Sequence, residues 1–123
     1  MAETSKIQRF TDLVAWQIGH ELVLEVYKHT RLFPKEELFG LTMQIRRAVV
    51  SVTSNIAEGF SRNSKKEKLQ FYYISLGSLT EVQNQIIIAV DLHYISNKDF
   101  DGIVLLITRE SKLINGLIKS LNT

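Results

Sequence analysis

Three histidines, a ridge of arginines and a short run of lysines are the side chains of this sequence with chemistry to offer. His20, His29 and His93 stand at no metal-ligand spacing. The residues three positions before them are Gln17, Val26 and Val90, so the Glu-x-x-His pattern of carboxylate-bridged di-iron bundles is missing. Glu25 and His29 lie one helical turn apart and read as a surface contact. A serine nucleophile needs a positioned base and an oxyanion hole. Ser51, Ser54, Ser75 and Ser78 read instead as small residues that let helices approach closely, and Gly77-Ser78 in mid-helix fits the same role. With no cysteine, thiolate metal sites and disulfides are excluded, and there is no glycine-rich phosphate loop. The expectation is a protein with no catalytic residue, no metal and no cofactor.

Two charged features remain. Arg46, Arg47, Asn55 and Glu58 sit among small and apolar neighbours. Either they form a hydrogen-bonded cluster, with Glu81 as a further member, that fixes helix register or subunit contacts, or Arg46 and Arg47 bind phosphate. The second feature lies between Phe60 and Gln70. Arg62, Lys65, Lys66 and Lys68 face one acid, Glu67, for a local charge of +3, more than the +2 of the whole chain. Lysines at a helix start oppose the macrodipole, which favours acids there. The segment is a solvated helix end or a contact for a polyanion, with nucleic acid the leading candidate.

These residues must be held by helices. Leu13, Trp16, Val23 and Tyr27 recur at helical spacing, as do Ala15, Ile18, Leu22 and Val26, and predict a helix over about 12–31 with Thr11 as N-cap. Phe33-Pro34 closes it. A second helix, about 36–58, buries Leu38, Leu41, Ile45, Ala48, Val49, Val52 and Ile56, and ends at Gly59 in a left-handed C-terminal conformation. Ser64-Lys65-Lys66-Glu67 has the form of a capping box and opens a third helix, about 64–92, with Leu69, Tyr72, Leu76, Leu79, Ile86 and Val90 inward. Ser96 to Asp99 opens a fourth, about 97–121, on a stripe of Phe100, Ile103, Val104, Ile107, Ile114, Leu117, Ile118 and Leu121. Asp101-Gly102 falls early in that pattern, at a tolerable cost of about 1 kcal/mol for the glycine.

Four such segments with short joints predict one all-α domain over residues 1–123, an antiparallel up-down-up-down four-helix bundle. Its 123 residues suit a single core, and 45% hydrophobic content excludes disorder. No apolar run approaches the ~18 residues needed to cross a bilayer, and no signal core follows the polar N-terminus, so a cytoplasmic protein away from membranes is expected. Leu13 to Trp16 and Leu105-Leu106 widen the apolar faces of the first and fourth helices beyond the usual stripe of roughly 100°. That surplus is either a wide interior face or surface buried against another copy.

One stretch is specific enough to name a family. Phe39-Gly40-Leu41-Thr42-Met43-Gln44-Ile45-Arg46-Arg47-Ala48, followed by Ser51-Val52-Thr53-Ser54-Asn55-Ile56-Ala57-Glu58-Gly59, resembles the four-helix-bundle family named for reading frames inside intervening sequences of large-subunit ribosomal RNA genes. Upstream, Phe10, Leu13, Trp16, Val26, Tyr27 and Phe33-Pro34 with Glu37 share the likeness. Downstream, Arg62, Ser64, Glu67, Phe71, Gly77-Ser78-Leu79 and Glu81 extend it. The resemblance implies a bundle that assembles as a homo-oligomer, a pentamer in preference to a dimer. It also implies a relative, the accessory protein of diversity-generating retroelements, which binds nucleic acid and a reverse transcriptase. That relative is strongly basic, whereas this chain carries only +2.

Two functions follow as expectations. One is a non-enzymatic accessory protein that binds RNA or DNA backbone through Arg62, Lys65, Lys66 and Lys68, with Arg46, Arg47 and Arg9 as further contacts. The other is an oligomeric scaffold on which the same charges only solvate a rim.

Overall fold

The computed structural model describes residues 6–122. Four helices carry the chain: α1, Val14–Thr30; α2, Met43–Ser61; α3, Lys65–Asp91; and α4, Asn97–Leu121. Among the described residues there is no strand. The pairs α1·α2, α2·α3, α3·α4 and α1·α4 pack together, which closes a four-helix bundle. Register shows how neighbours run. Arg47 meets Glu81 and Ser51 meets Ser78 across α2 and α3, while Thr30 meets Arg46 and Gly19 faces Thr53 across α1 and α2. The α1–α4 pairing sets Gly19 against Glu110 and His29 against Asp99. Residue numbers rise on one helix as they fall on the other, so these three pairs are antiparallel.

The core is built mainly of β-branched and leucine side chains. Leu22 and Val26 of α1, Ile45, Val49 and Val52 of α2, Val82 and Ile86 of α3, and Ile103 and Ile114 of α4 are buried. On α1 the buried line is Ala15, Ile18, Leu22 and Val26, whereas Leu13, Trp16, Val23 and Tyr27 lie half-buried at its edge.

Several helix ends differ from the expected ones. Thr11 does not cap α1. A 3₁₀ turn, Phe10–Asp12, precedes the helix, and the Asp12 carboxylate accepts the N–H groups of Gln8 and Arg9, each at 3.0 Å. These two donors hold the Asp12 carboxyl below its ordinary range. Before α2, a 3₁₀ turn (Lys35–Glu37) and a π turn (Leu38–Thr42) replace the expected first helical turns, with Gly40 breaking the helical dihedrals at φ −112°, ψ −112°. The break rotates Leu38 outward, where it is half exposed instead of buried. Glu37 pins this segment: its carboxylate accepts the Leu41 N–H at 3.1 Å and the Tyr94 hydroxyl at 2.8 Å.

Gly59 does not end α2 in a left-handed turn. The helix continues to Ser61, and a Cβ on Gly59 would lie 2.6 Å from Cε1 of Tyr72, so this glycine lets α3 approach. The left-handed residue is His93, φ 63°, after α3. There the Tyr94 N–H reaches the Ala89 carbonyl (2.9 Å) and the His93 N–H the Val90 carbonyl (3.0 Å), a Schellman closure without glycine. Ser64 caps α3 by accepting the Glu67 N–H at 3.1 Å, the serine half of the expected capping box, and Ser96 caps α4 by accepting the Asp99 N–H at 3.1 Å.

One charged residue lies fully inside. Glu110 of α4 is 0% exposed, and neither carboxylate oxygen has a hydrogen-bond partner. Room for it comes from Gly19 of α1, where a Cβ would lie 2.5 Å from Glu110 Oε2 and 2.9 Å from Cγ2 of Thr53 on α2. Burial alone pushes the Glu110 carboxyl up to about 8, so the group is held neutral at pH 7.

Candidate nucleic-acid interface

The basic segment forms the joint between α2 and α3, and its four cations are not equivalent. Lys68 reaches back across the turn, its Nζ donating to the carbonyls of Phe60 (2.8 Å) and Gly59 (3.2 Å). Helix ends leave carbonyls unsatisfied and partially negative, so Lys68 serves as the C-terminal cap of α2. Arg62 pairs with Glu58 at 3.0 Å and lies 4.8 Å from the ring centroid of Phe71. Lys65 and Lys66 are exposed and, among the described residues, make no hydrogen bond or ion pair. They are the two cations of the segment free to meet a phosphate. The antiparallel register of α1 and α4 brings Arg9 and Lys119, both exposed, to the same end of the bundle.

Arg46 and Arg47 stand elsewhere. Sixteen residues separate Arg46 from Arg62. That is roughly 24 Å at the α-helical rise. The structure therefore does not gather the six expected contact residues into one surface. Arg46 donates through Nε to Thr30 Oγ1 at 2.8 Å and lies with Cζ 4.7 Å from the centre of the Tyr27 ring. Arg47 donates through Nη2 to Gln44 (2.9 Å) and to Glu81 of α3 (3.4 Å).

The rest of the ridge is also divided. Asn55 donates to the Ser51 carbonyl (2.8 Å) and Ser51 Oγ (3.0 Å), and the Ser51 hydroxyl shares a 2.8 Å hydrogen bond with Ser78. Glu58 faces Arg62. Ser75 donates to the Val52 carbonyl at 2.7 Å, so Ser51, Ser75 and Ser78 form the close seam between α2 and α3. Ser54 is exposed and takes no part. Gly77 also points away, with open space where its Cβ would be, so it does not serve close packing within this bundle.

His29 lies between Glu25 Oε1 (3.4 Å) and Asp99 Oδ2 (3.8 Å), where the end of α1 meets the start of α4. Among the described residues no group of three His, Asp or Glu side chains is placed to hold a metal ion, and no helix is long and apolar enough to cross a membrane.

The exposed apolar surface lies mostly where periodicity did not place it. Val14 and Leu105 do face outward, but Leu13, Ala15, Trp16 and Leu106 turn inward or to the edge of the core. The larger surplus is on α3, at Tyr73, Ile74, Ile87 and Ile88, and around the π turn, at Leu38, Phe39 and Met43. Between α1 and that turn, Tyr27, Phe39, Thr42, Met43, Arg46 and Val50 line an open cleft of about 540 Å³. The turn itself is irregular, so helical spacing gave no sign of the cleft.

Fold and surface together define a small, all-helical bundle with an uneven covering of apolar and basic patches. The chain belongs to the 23S rRNA-intervening sequence protein family, which it matches over residues 11–116. It is also similar to the crystal structure of a protein of unknown function from the S23 ribosomal protein family of Bacteroides thetaiotaomicron. The TM-score is 0.80 at 21% identity, over 86% of this chain and 96% of that one, a likeness that carries the fold. No curated protein matches it.

Proposed function

We propose that the protein is a non-enzymatic, self-assembling accessory protein whose α2–α3 end holds a nucleic-acid backbone. The observation that carries this reading is the pair Lys65 and Lys66, exposed and unneutralised at the start of a helix whose dipole opposes them. Arg62, Arg9 and Lys119 stand at the same end, and the family takes its name from a ribosomal RNA sequence. Repetition would multiply the charge: in a homo-oligomer, the pentamer implied by the family resemblance or a dimer, each copy adds its own two free lysines. A cytoplasmic setting, where RNA and a reverse transcriptase are both at hand, goes with this reading.

The test is binding to structured RNA and duplex DNA across a salt series. Affinity should fall steeply with salt and depend little on sequence. Lys65→Gln with Lys66→Gln should weaken binding and flatten the salt dependence without lowering thermal stability, since neither side chain touches the fold and both charges oppose the helix dipole. Lys68 is left intact because its loss uncaps α2. If the double variant binds as the parent does, or the parent binds neither nucleic acid at low salt, the reading fails.

A second reading, an oligomeric scaffold without nucleic acid, is favoured by the exposed α3 face of Tyr73, Ile74, Ile87 and Ile88. Light scattering decides its first requirement: a monomer mass at tens of micromolar would remove self-assembly from both readings.

A further inference from the structure

The α1–α2 cleft has a charge placed for a ligand. Arg46 is fixed at two points, through its Nε bond to Thr30 and by lying over Tyr27, and Thr30 is itself anchored by donating to the Val26 carbonyl at 2.8 Å. That arrangement uses Nε and one face of the guanidinium. Among the described residues neither Nη atom has a partner, and no carboxylate pairs with Arg46. Its neighbour Arg47 shares its charge with Glu81. The cleft therefore carries one uncompensated positive charge, on a side chain already held in place.

A second polar group lines the same space. Thr42 is 4% exposed, and its hydroxyl has no hydrogen-bond partner among the described residues. It stands four residues before Arg46, one helical turn away on the same side of α2. That hydroxyl is not sealed inside the bundle, so it is open to a ligand oxygen entering the cleft. Apart from Arg47, whose charge is shared with Glu81, the remaining walls are apolar: Leu38, Met43, Val50 and the ring of Phe39, which is 80% exposed and projects at the rim.

We propose that this cleft is a binding site for a small amphipathic carboxylate, an apolar chain or ring carrying a single anionic head. A volume of about 540 Å³ falls within the usual size of small-molecule pockets. The two free Nη donors of one guanidinium match the two oxygens of a carboxylate as a fork, and a single net charge matches a monoanion better than a phosphate dianion. Thr42 donates to the same head, and Phe39, Met43 and Val50 cover the apolar body. The site lies at the other end of α2 from Lys65 and Lys66, so it stands or falls independently of nucleic-acid binding.

Decanoate, below its micellar concentration, is the probe, with decanol as its uncharged counterpart. Calorimetric titration should give one decanoate per chain, with decanol bound at least ten-fold more weakly. Arg46→Gln should lower decanoate affinity ten-fold or more. Arg46→Lys, which keeps the charge but loses the fork, should recover only part of it. Phe39→Ala, at a side chain too exposed to support the fold, should weaken decanoate and decanol alike. Lys65→Gln with Lys66→Gln should change nothing. Equal affinity for decanoate and decanol, or unchanged binding in Arg46→Gln or in Phe39→Ala, would overturn the site. So would failure of the folded parent to bind decanoate; if Phe39→Ala then breaks an oligomer apart, the cleft is occupied by a second copy of the chain instead.

Discussion

The α2–α3 and α1–α4 seams both carry polar atoms into the bundle, and they treat them in opposite ways. Along α2–α3 the groups are short and, but for the buried Oε1 of Gln85 on α3, matched. Ser75 reaches the Val52 carbonyl, Ser51 meets Ser78, and Gly59 lets the Tyr72 ring lie against the helix backbone. Along α1–α4 a glycine again makes room, but what fills the space beside Gly19 is the carboxyl of Glu110, with no partner for either oxygen. The same device, a missing side chain, produces a satisfied joint in one place and a buried acid in the other. Close approach alone does not make a seam stable; what matters is whether each polar atom brought inside finds a complement.

The largest effect should come from Glu110. Its carboxyl has a pKa of about 8 when folded and 4.5 as its ordinary value. Below pH 4.5 the group is protonated in both states and costs nothing by ionisation. Between 4.5 and 8 the unfolded chain releases the proton and the folded chain keeps it, so stability falls by about 1.4 kcal/mol per pH unit. Above 8 the loss levels off, at a total on the order of 5 kcal/mol. Urea unfolding of Glu110→Gln should lack this alkaline decline, and Glu110→Met should be more stable than the parent at pH 8.5. A parent and a glutamine variant with parallel pH profiles would remove Glu110 from the comparison.

Gly59→Ala tests the opposite seam. The new Cβ would press on a buried ring that cannot swing away, and a loss of about 1–3 kcal/mol is expected. If its urea midpoint matches the parent's, the α2–α3 seam is looser than its hydrogen bonds imply.

The smallest effect, opposite in sign to that of Gly59→Ala, belongs to Gly77. It is exposed in mid-helix with nothing near its Cβ position, so Gly77→Ala should stabilise the chain by about 1 kcal/mol. Should the variant gain stability yet lose oligomeric mass in light scattering, the outer face of α3 at Gly77 is where copies meet.

How much of this was legible in the sequence depends on the kind of signal. The helices were, because Ile103, Ile107, Ile114 and Ile118, or Ala15, Ile18, Leu22 and Val26, repeat with a period that only a buried helix face requires. Ser64 was legible as a cap because a hydroxyl before a helical run has one well-defined task. Glu110 left a trace that went unread: the fourth stripe skips from Ile107 to Ile114, and the residue at the missing core position is a glutamate. Charge on a residue argued for the surface, and periodicity argued for the core; Gly19, too far away in sequence to be linked, is what let periodicity prevail. The basic segment was legible in composition but not in role. Nothing in the spacing says that Lys68 turns back to cap α2 while Lys65 and Lys66 stay free, since that depends on how tightly the turn folds.

That turn also bears on how the chain reaches its shape. Only Arg62, Asn63 and Ser64 separate α2 from α3. Closing so short a loop forfeits little chain entropy, and the contacts that reward closure follow at once along both helices. Docking α1 on α4 instead joins Gly19 to Glu110, positions roughly 90 residues apart, whose encounter must await the rest of the chain. The α2–α3 hairpin is therefore the expected nucleus of folding, and the helix pair that encloses the acid is the last to close.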